Sequence, residues 1–255
     1  QQPFKISENE KTPCEKGVFF MKDMHSHLLP GVDDGAKTME DTINMLLHAK
    51  SNGVTDKMLT PHYIYKSKYS SPKNINLKIF EDVKEEADKI GINVYLGNEI
   101  YLSDDMDVVK VLKSKKFNTL NNSRYILVEI PMHKKVNNLK SIFFEIINLG
   151  YIPILAHPER YSAYFGDFDL FLQLRSMGVL MQVNFTSLLG DYGPKANYMA
   201  KELLKRRVVS FLGSDMHELN ERKYEKIKSV MFRLRFMIGK DRLKEITEDN
   251  FFYVI

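Results

Sequence analysis

Cysteine is nearly absent from this 255-residue chain, which holds only Cys14. No intrachain disulfide framework can form, and that fits a reducing compartment. The same scarcity excludes a cysteine-dependent phosphatase, whose thiolate must be followed six positions later by arginine. Six positions after Cys14 stands Phe20. Long apolar runs are missing too. No uninterrupted stretch approaches the ~18 residues needed to cross a bilayer, and the most apolar late segment, 230–238, is broken by Arg233 and Arg235. Nor is there much charge of one sign: Lys+Arg 37 against Asp+Glu 33 leaves a formal +4 dispersed along the chain. That is too weak an excess for a nucleic-acid surface. The first residue is Gln rather than Met, so the chain is expected to begin inside a longer product. The cytoplasm is the expected compartment.

What is present is an ordinary globular composition, 44% apolar and 11% aromatic, enough for a sizeable core. Residues 1–17 are polar and aperiodic, an N-terminal extension or docking arm, and 18–255 form one domain. Seven segments read as strands: 18–24, 55–60, 93–97, 125–130, 152–156, 180–184 and 208–213. Most are short Val/Ile/Leu/Phe runs, the composition of strands buried on both faces of a parallel sheet. Helical stripes lie between them. Thr38 to Asp41 resembles a capping box ahead of Met39, Ile43, Leu46 and Leu47, and Gly53 follows. Other stripes end at Gly91, Gly150 and Gly178, where glycine accepts a left-handed C′ position. Met199, Leu203 and Leu204 mark another helix, and two more close the chain around 223–237 and 241–249. Such alternation implies right-handed βαβ units, hence an open parallel sheet or a barrel.

Groups able to ligate a metal fall at strand ends. The first strand runs into His25-Ser26-His27, and later ones end near His62, Glu99, Glu129, His157 and Asp215-Met216-His217. The steps from His27 onward are 35, 37, 30, 28 and then 58 residues, the last spanning two units. In a barrel, groups so phased converge on the C-terminal face. Alternate residues of an extended chain point the same way, so His25 and His27 reach one site, as do Asp215 and His217. Asp34, in a loop between Gly31 and Gly35, can fold over it. His48 and His133 fall out of phase and are assigned no role. Donors that are all nitrogen and oxygen suit Mn, Fe or Zn and exclude a cysteine-rich zinc module.

The run from Asp23 to Gly35 resembles the opening motif of the polymerase-and-histidinol-phosphatase (PHP) superfamily, specifically its CpsB/CapC-type bacterial tyrosine-protein phosphatases of capsule and exopolysaccharide operons. The similarity continues through Thr60-Pro61-His62, Gly97 to Ile100, Ser123 to Ile130, Ile154 to Arg160, Gln182-Val183-Asn184 and Gly213 to His217. It implies an α/β fold, a distorted (β/α)7 TIM-like barrel. It also implies three divalent metal ions, manganese above all with iron or zinc as alternatives, on His25, His27, Asp34, His62, Glu99, Glu129, His157, Asp215 and His217. Arg160 and Arg222 match arginines that hold the phosphate. The activity implied is hydrolysis of protein phosphotyrosine by a metal-bound hydroxide. The implied partner is the C-terminal tail of a bacterial tyrosine kinase, with neither nucleic acid nor membrane insertion involved. Position 26 is serine where many relatives have cysteine, and Tyr63 stands where some have a second histidine.

Two loop features bear on substrate choice. Tyr63, Tyr65 and Tyr69 interleave with Lys66 and Lys68, either at the pocket entrance or in an ordinary solvated loop. Leu28, Leu29 and Pro30 are expected to wall a tyrosyl ring. Three competing readings remain: another PHP phosphoesterase (histidinol phosphatase or nuclease type), an amidohydrolase, and a metal-binding scaffold. The amidohydrolase also opens with His-x-His, but the closing Asp215-x-His217 pair speaks against it.

Overall fold

The computed structural model describes residues 21–103, 107–219 and 224–255. Its strands are all parallel: β1 (Met21–Asp23), β2 (Val54–Leu59), β3 (His62–Tyr63), β4 (Asn93–Leu96), β5 (Glu99–Tyr101), β6 (Tyr125–Glu129), β7 (Ile152–Ala156), β8 (Leu180–Asn184) and β9 (Phe211–Gly213). Around them lie α1 (Met39–Ser51), α2 (Lys73–Ile90), α3 (Val108–Ser114), α4 (Leu139–Asn148), α5 (Phe168–Ser176), α6 (Gly193–Lys205), α7 (Ile227–Ile238) and α8 (Lys240–Thr247).

The ladders run β1-β2-β4 and β3-β5-β6-β7-β8-β9, yet they belong to one ring of seven staves. β2 and β3 are a single stave broken at Pro61, which has no N–H to give the ladder. β4 and β5 are another, broken at Gly97-Asn98. Backbone bonds bridge the breaks, from Gly97 N–H to Leu59 O at 2.8 Å and from Glu99 N–H to Pro61 O at 3.1 Å. The ring closes between the first and last staves, where Met24 N–H donates to Leu212 O (3.2 Å), Asp215 N–H to His25 O and His27 N–H to Met216 O (both 2.8 Å). Among the described residues all seven expected strands and the barrel implied by resemblance are found; residues 18–20 of the first strand and the expected 1–17 extension lie outside the described residues. The two breaks, and the two-turn helix α3, were not foreseen.

Leu120 explains part of the distortion. It packs against β4 so closely that a Cβ on Gly97 would lie 2.3 Å from its Cδ2; glycine is what admits it. Inside the barrel Met24, Met58, Leu127, Ile154, Ala156 and Phe211 form a cluster with Leu120, and Phe251 and Val254 of the C-terminal segment join it. Lys22, ion-paired to Asp56 at 2.5 Å, also lies over the Phe251 ring. These residues stopper the N-terminal end. Among the described residues, the end of the barrel left open is the opposite one, where the sequence places its histidines and carboxylates. Outside the staves, the strand residues facing the helices join a second cluster with the helical stripes. Ile126, Val128 and Leu155 are fully buried there, each contributing about 1.5–3 kcal/mol of transfer free energy. Helix α1 begins at Thr38 with the expected capping box to Asp41, and α2 ends at left-handed Gly91. Among the described residues no helix is long and apolar enough to cross a membrane.

Candidate metal centre

His25 and His27 leave β1 in extended backbone and are both fully buried, with their Nε2 atoms 3.1 Å apart. The spacer Ser26 does structural duty: its hydroxyl donates to Met58 O at 2.8 Å. Two glycines permit the approach of neighbouring segments. A Cβ on Gly35 would fall 2.0 Å from His27 O, and one on Gly213 would fall 2.8 Å from the His25 Cβ.

The other ring nitrogen of each histidine has a fixed partner. His27 Nδ1 lies 2.7 Å from Asp33 Oδ2; a carboxylate only accepts, so Nδ1 carries the proton. For His25 the assignment passes through two amides. Asp215 Oδ2 accepts from Asn184 Nδ2 (3.0 Å), Asn184 Oδ1 accepts from Gln182 Nε2 (2.8 Å), and Gln182 Oε1 faces His25 Nδ1 (2.9 Å). Each step leaves one role open for the next, so His25 Nδ1 donates. With both Nδ1 atoms protonated, the two Nε2 atoms face each other and need a proton or a cation between them.

Glu99, fully buried, is the hub. Its Oε2 lies 3.0 Å from His62 Nδ1, 3.3 Å from His25 Nε2 and 3.4 Å from His27 Nε2, and its Oε1 lies 3.0 Å from His157 Nε2. Asp215 Oδ1 stands 3.5 Å from His27 Nε2 and 3.5 Å from His217 Nδ1. Glu129 reaches within 3.7 Å of His157, and Asp34 within 3.6 Å of both His62 and His217. Four overlapping groups result: His27, Asp34, His62 and His217; His25, His157 and Asp215; His25, His27 and Glu99; His62, Glu99 and Glu129. Together they contain all nine residues singled out in the sequence.

These residues fit divalent cations. Donors about 2.1 Å from one ion stand roughly 3.0–3.4 Å apart in octahedral or tetrahedral arrangement, the range of the Glu99 separations. His62 Nδ1 and Glu99 Oε2 are buried without a hydrogen bond despite their 3.0 Å proximity. Ionisation balances point the same way. Burial pushes His157 down to about 4, aided by Arg160, and His217 down to about 4, aided by His27, so both rings are neutral imidazoles at neutral pH. Burial opposes charge on His25 and His27, but Glu99 and Asp215 around the first and Asp33 beside the second prevail, and both are raised. Burial, then Glu99 and Asp215, raises Glu129 well above the carboxylate range. Without cations the pocket holds protons on these groups; cations would displace them.

His157 and Asp215 adopt left-handed φ, +32° and +53°, costly for residues with a Cβ and frequent where function demands a particular aim. Arg160 Nη1 holds Asp215 Oδ2 at 2.5 Å, its guanidinium stacks 4.4 Å from the centre of the Tyr192 ring, and a quarter of its side chain reaches solvent at the rim. Arg222 lies outside the described residues. His48 accepts from Tyr224 N–H, and His133 bonds Ser162; neither joins the cluster. Two expectations are corrected. Leu28 and Leu29 are fully buried in the helix-facing core, where the Thr42 hydroxyl of α1 donates to Leu28 O at 2.8 Å, and so they do not wall a substrate ring. Tyr63 is buried as well, whereas Tyr69 stacks 6.2 Å from His62 at the rim. Sequence reasoning missed Asp33, Tyr192 and the roles of Gln182 and Asn184; the Asp33-Asp34 doublet and the Gln182-x-Asn184 alternation were the available signals.

Comparison with known proteins accords with this geometry. The family described as "Capsular polysaccharide synthesis, CpsB/CapC" matches residues 21–255. A putative tyrosine-protein phosphatase CapC of Staphylococcus aureus is 35% identical over 205 residues, 80% of each chain. Tyrosine-protein phosphatase YwqE of Bacillus subtilis is 27% identical over 232 residues, 90% of this chain and 89% of its own. A solved structure from the study of YwqE and of CpsB from Streptococcus pneumoniae, described as unique metal-dependent tyrosine phosphatases, superposes with a TM-score of 0.80 at 26% identity, over 92% of this chain and 94% of that one. A phosphotriesterase homology protein of Escherichia coli shares the fold alone, at TM-score 0.60 and 12% identity, covering 91% and 97%. The chain belongs to the CpsB/CapC family.

Proposed function

We propose that this protein is a metal-dependent phosphatase that removes phosphate from tyrosine side chains of a protein, with a bacterial tyrosine kinase tail as substrate and the cytoplasm as its compartment. The observation that carries the reading is the Glu99-centred gathering of nine nitrogen and oxygen donors at the open end of the barrel, with Arg160 at its edge. His25, His27, Asp34, His62, Glu99, Glu129, His157, Asp215 and His217 would hold the metals, three divalent ions with manganese first among the candidates. Bound there, such ions supply Lewis acidity toward a phosphoryl oxygen and lower the pKa of water.

The protein's own groups do the rest. Asp33 and the Asp215–Asn184–Gln182 relay hold His27 and His25 with Nε2 facing inward. Arg160, braced by Asp215 and the Tyr192 ring, presents a planar fork that matches phosphate oxygens two at a time. Arg222 is the second candidate for that task. A tyrosyl leaving group has pKa ~10, so it departs with less protonation than an alkoxide requires.

The test offers the metal-loaded protein a phosphotyrosyl peptide, histidinol phosphate and single-stranded DNA. Turnover of the peptide alone, abolished by a chelator and restored by manganese, is expected. Exclusive turnover of either other substrate overturns the reading. Arg160→Ala should lower kcat/KM on an aryl phosphate by about 10²-fold, the scale of losing one preorganised charged donor. An unchanged value removes Arg160 from the mechanism.

A further inference from the structure

We propose that a lysine-lined groove beside the metal centre receives an acidic stretch of polypeptide flanking the phosphotyrosine, an inference that rests on the phosphatase reading above. The groove has a volume of about 730 Å³ and is walled by Tyr65, Lys66, Lys73, Leu77, Lys115 and Lys116. Ser70 lines it too, and the preceding residue, Tyr69, stacks 6.2 Å from His62, so the loop that walls the groove also touches the rim of the metal centre. A polypeptide whose phosphate lies among the histidines would leave the centre past that loop and reach the groove with its flanking residues.

Charge identifies the occupant. Among the described residues the lining holds four lysines and no carboxylate, as many positive charges as the formal excess of the whole chain, +4. Among the described residues no ion pair engages Lys66, Lys73, Lys115 or Lys116, whereas Lys22, Lys89, Lys205 and Lys244 each hold a carboxylate. No acidic side chain stands in the first turn of α2, where Lys73 lies. Lys115 is the left-handed C-cap of α3, but Lys66 sits in a turn with a φ of +60°, where glycine or asparagine is cheaper. Such positions persist where the side chain serves a purpose. The floor is apolar, with Leu77 and the Tyr65 ring, over which Lys66 Nζ stands at 5.3 Å. Carboxylates on an apolar-backed strand match that combination. Nucleic acid matches it less well, because single strands are gripped by several exposed aromatic platforms, whereas of the two tyrosines in this lining Tyr65 alone is exposed.

The test uses the whole metal-loaded chain and a variant carrying Lys66→Glu, Lys73→Glu, Lys115→Glu and Lys116→Glu. Three substrates are compared: a phosphotyrosyl peptide flanked by glutamates, the same peptide with glutamines, and p-nitrophenyl phosphate. Wild type should favour the acidic peptide by about tenfold in kcat/KM, as several exposed ion pairs together provide. The difference should reside in KM and fade with added salt. The variant should lose or reverse that preference while hydrolysing p-nitrophenyl phosphate as wild type does. Equal turnover of both peptides by wild type overturns the proposal. So does an equal loss on p-nitrophenyl phosphate, which would place the lysines' effect on the centre itself, and so does stronger competition by an oligonucleotide than by the unphosphorylated acidic peptide. If no phosphotyrosyl substrate is turned over, the phosphatase reading fails by itself. The groove is then judged by fluorescence anisotropy of the labelled acidic peptide, which must bind wild type and not the variant.

Discussion

Asp33 offers a sharp test of how the centre is organised, since it would touch no metal and yet governs one ligand. Its Oδ2 accepts from His27 Nδ1 at 2.7 Å and from His62 N–H at 2.9 Å, and its Oδ1 accepts from Gly35 N–H at 2.9 Å. In Asp33→Asn the amide must turn its NH2 toward one of these donors. Facing Gly35 is the lesser evil, because the carbonyl then keeps both bonds on the His27 side. The variant loses one buried hydrogen bond, about 1–3 kcal/mol with an N–H left unsatisfied, and the negative charge that makes His27 basic. Loss of a carboxylate behind a ligating histidine typically lowers metal affinity about 10–100-fold, or about 1.4–2.7 kcal/mol. The assay is phosphatase activity against free manganese, giving an apparent Kd for wild type and variant. Activity of the variant should return at high metal concentration. A metal titration identical to wild type would falsify the claim that Asp33 orients His27.

Further outcomes follow from the same geometry. Gly35→Ala should destabilise the fold by about 1–3 kcal/mol through overpacking, since its Cβ would meet His27 O at 2.0 Å; an unchanged Tm and metal affinity contradict this. Asp23→Asn should cost about 3–5 kcal/mol, because it leaves Lys57, fully buried and 2.5 Å from Asp23 Oδ2, without its countercharge. Burial opposes ionisation of Asp23, but Lys57 prevails and its folded pKa is lowered. The pair's stabilisation is therefore present above the unfolded aspartate pKa, about 3.9, and fades as pH falls below it; denaturant midpoints from pH 3 to 7 that shift no more in wild type than in Asp23→Asn refute it. Manganese binding should release protons, because His25 and His27 are raised above 6.5 and must shed them to ligate. Apparent affinity then climbs as pH rises through neutrality, and calorimetric enthalpies that do not vary with buffer ionisation enthalpy would count against it.

The barrel was legible because its staves are compositionally plain. Ile126-Leu127-Val128 and Ile154-Leu155-Ala156 are buried on both faces, which leaves no alternation to confuse with a helix. Histidines at a repeat of one βα unit then marked which end was functional. Fine structure was less accessible for physical reasons. Pro61 and Gly97 divide two staves, a tertiary event that local propensity does not record. Helix α3 spans seven residues, too few to display a period. Asp33 and Asp34 are chemically identical neighbours. Only the path of the loop over His27 sends the first inward to the ring nitrogen and leaves the second half-exposed toward His62 and His217. The amide relay from Asp215 to His25 likewise depends on β8 lying between β7 and β9, a register that no spacing within one strand reveals.

Anomalous diffraction from manganese-loaded crystals, collected on both sides of the metal absorption edge, addresses the gathering of these nine side chains most directly. Peaks within the groups formed by His27, Asp34, His62 and His217, by His25, His157 and Asp215, and by Glu99 with its neighbours are the expected result. An empty pocket, or peaks bound elsewhere with the His25 and His27 rings turned apart, would contradict the account.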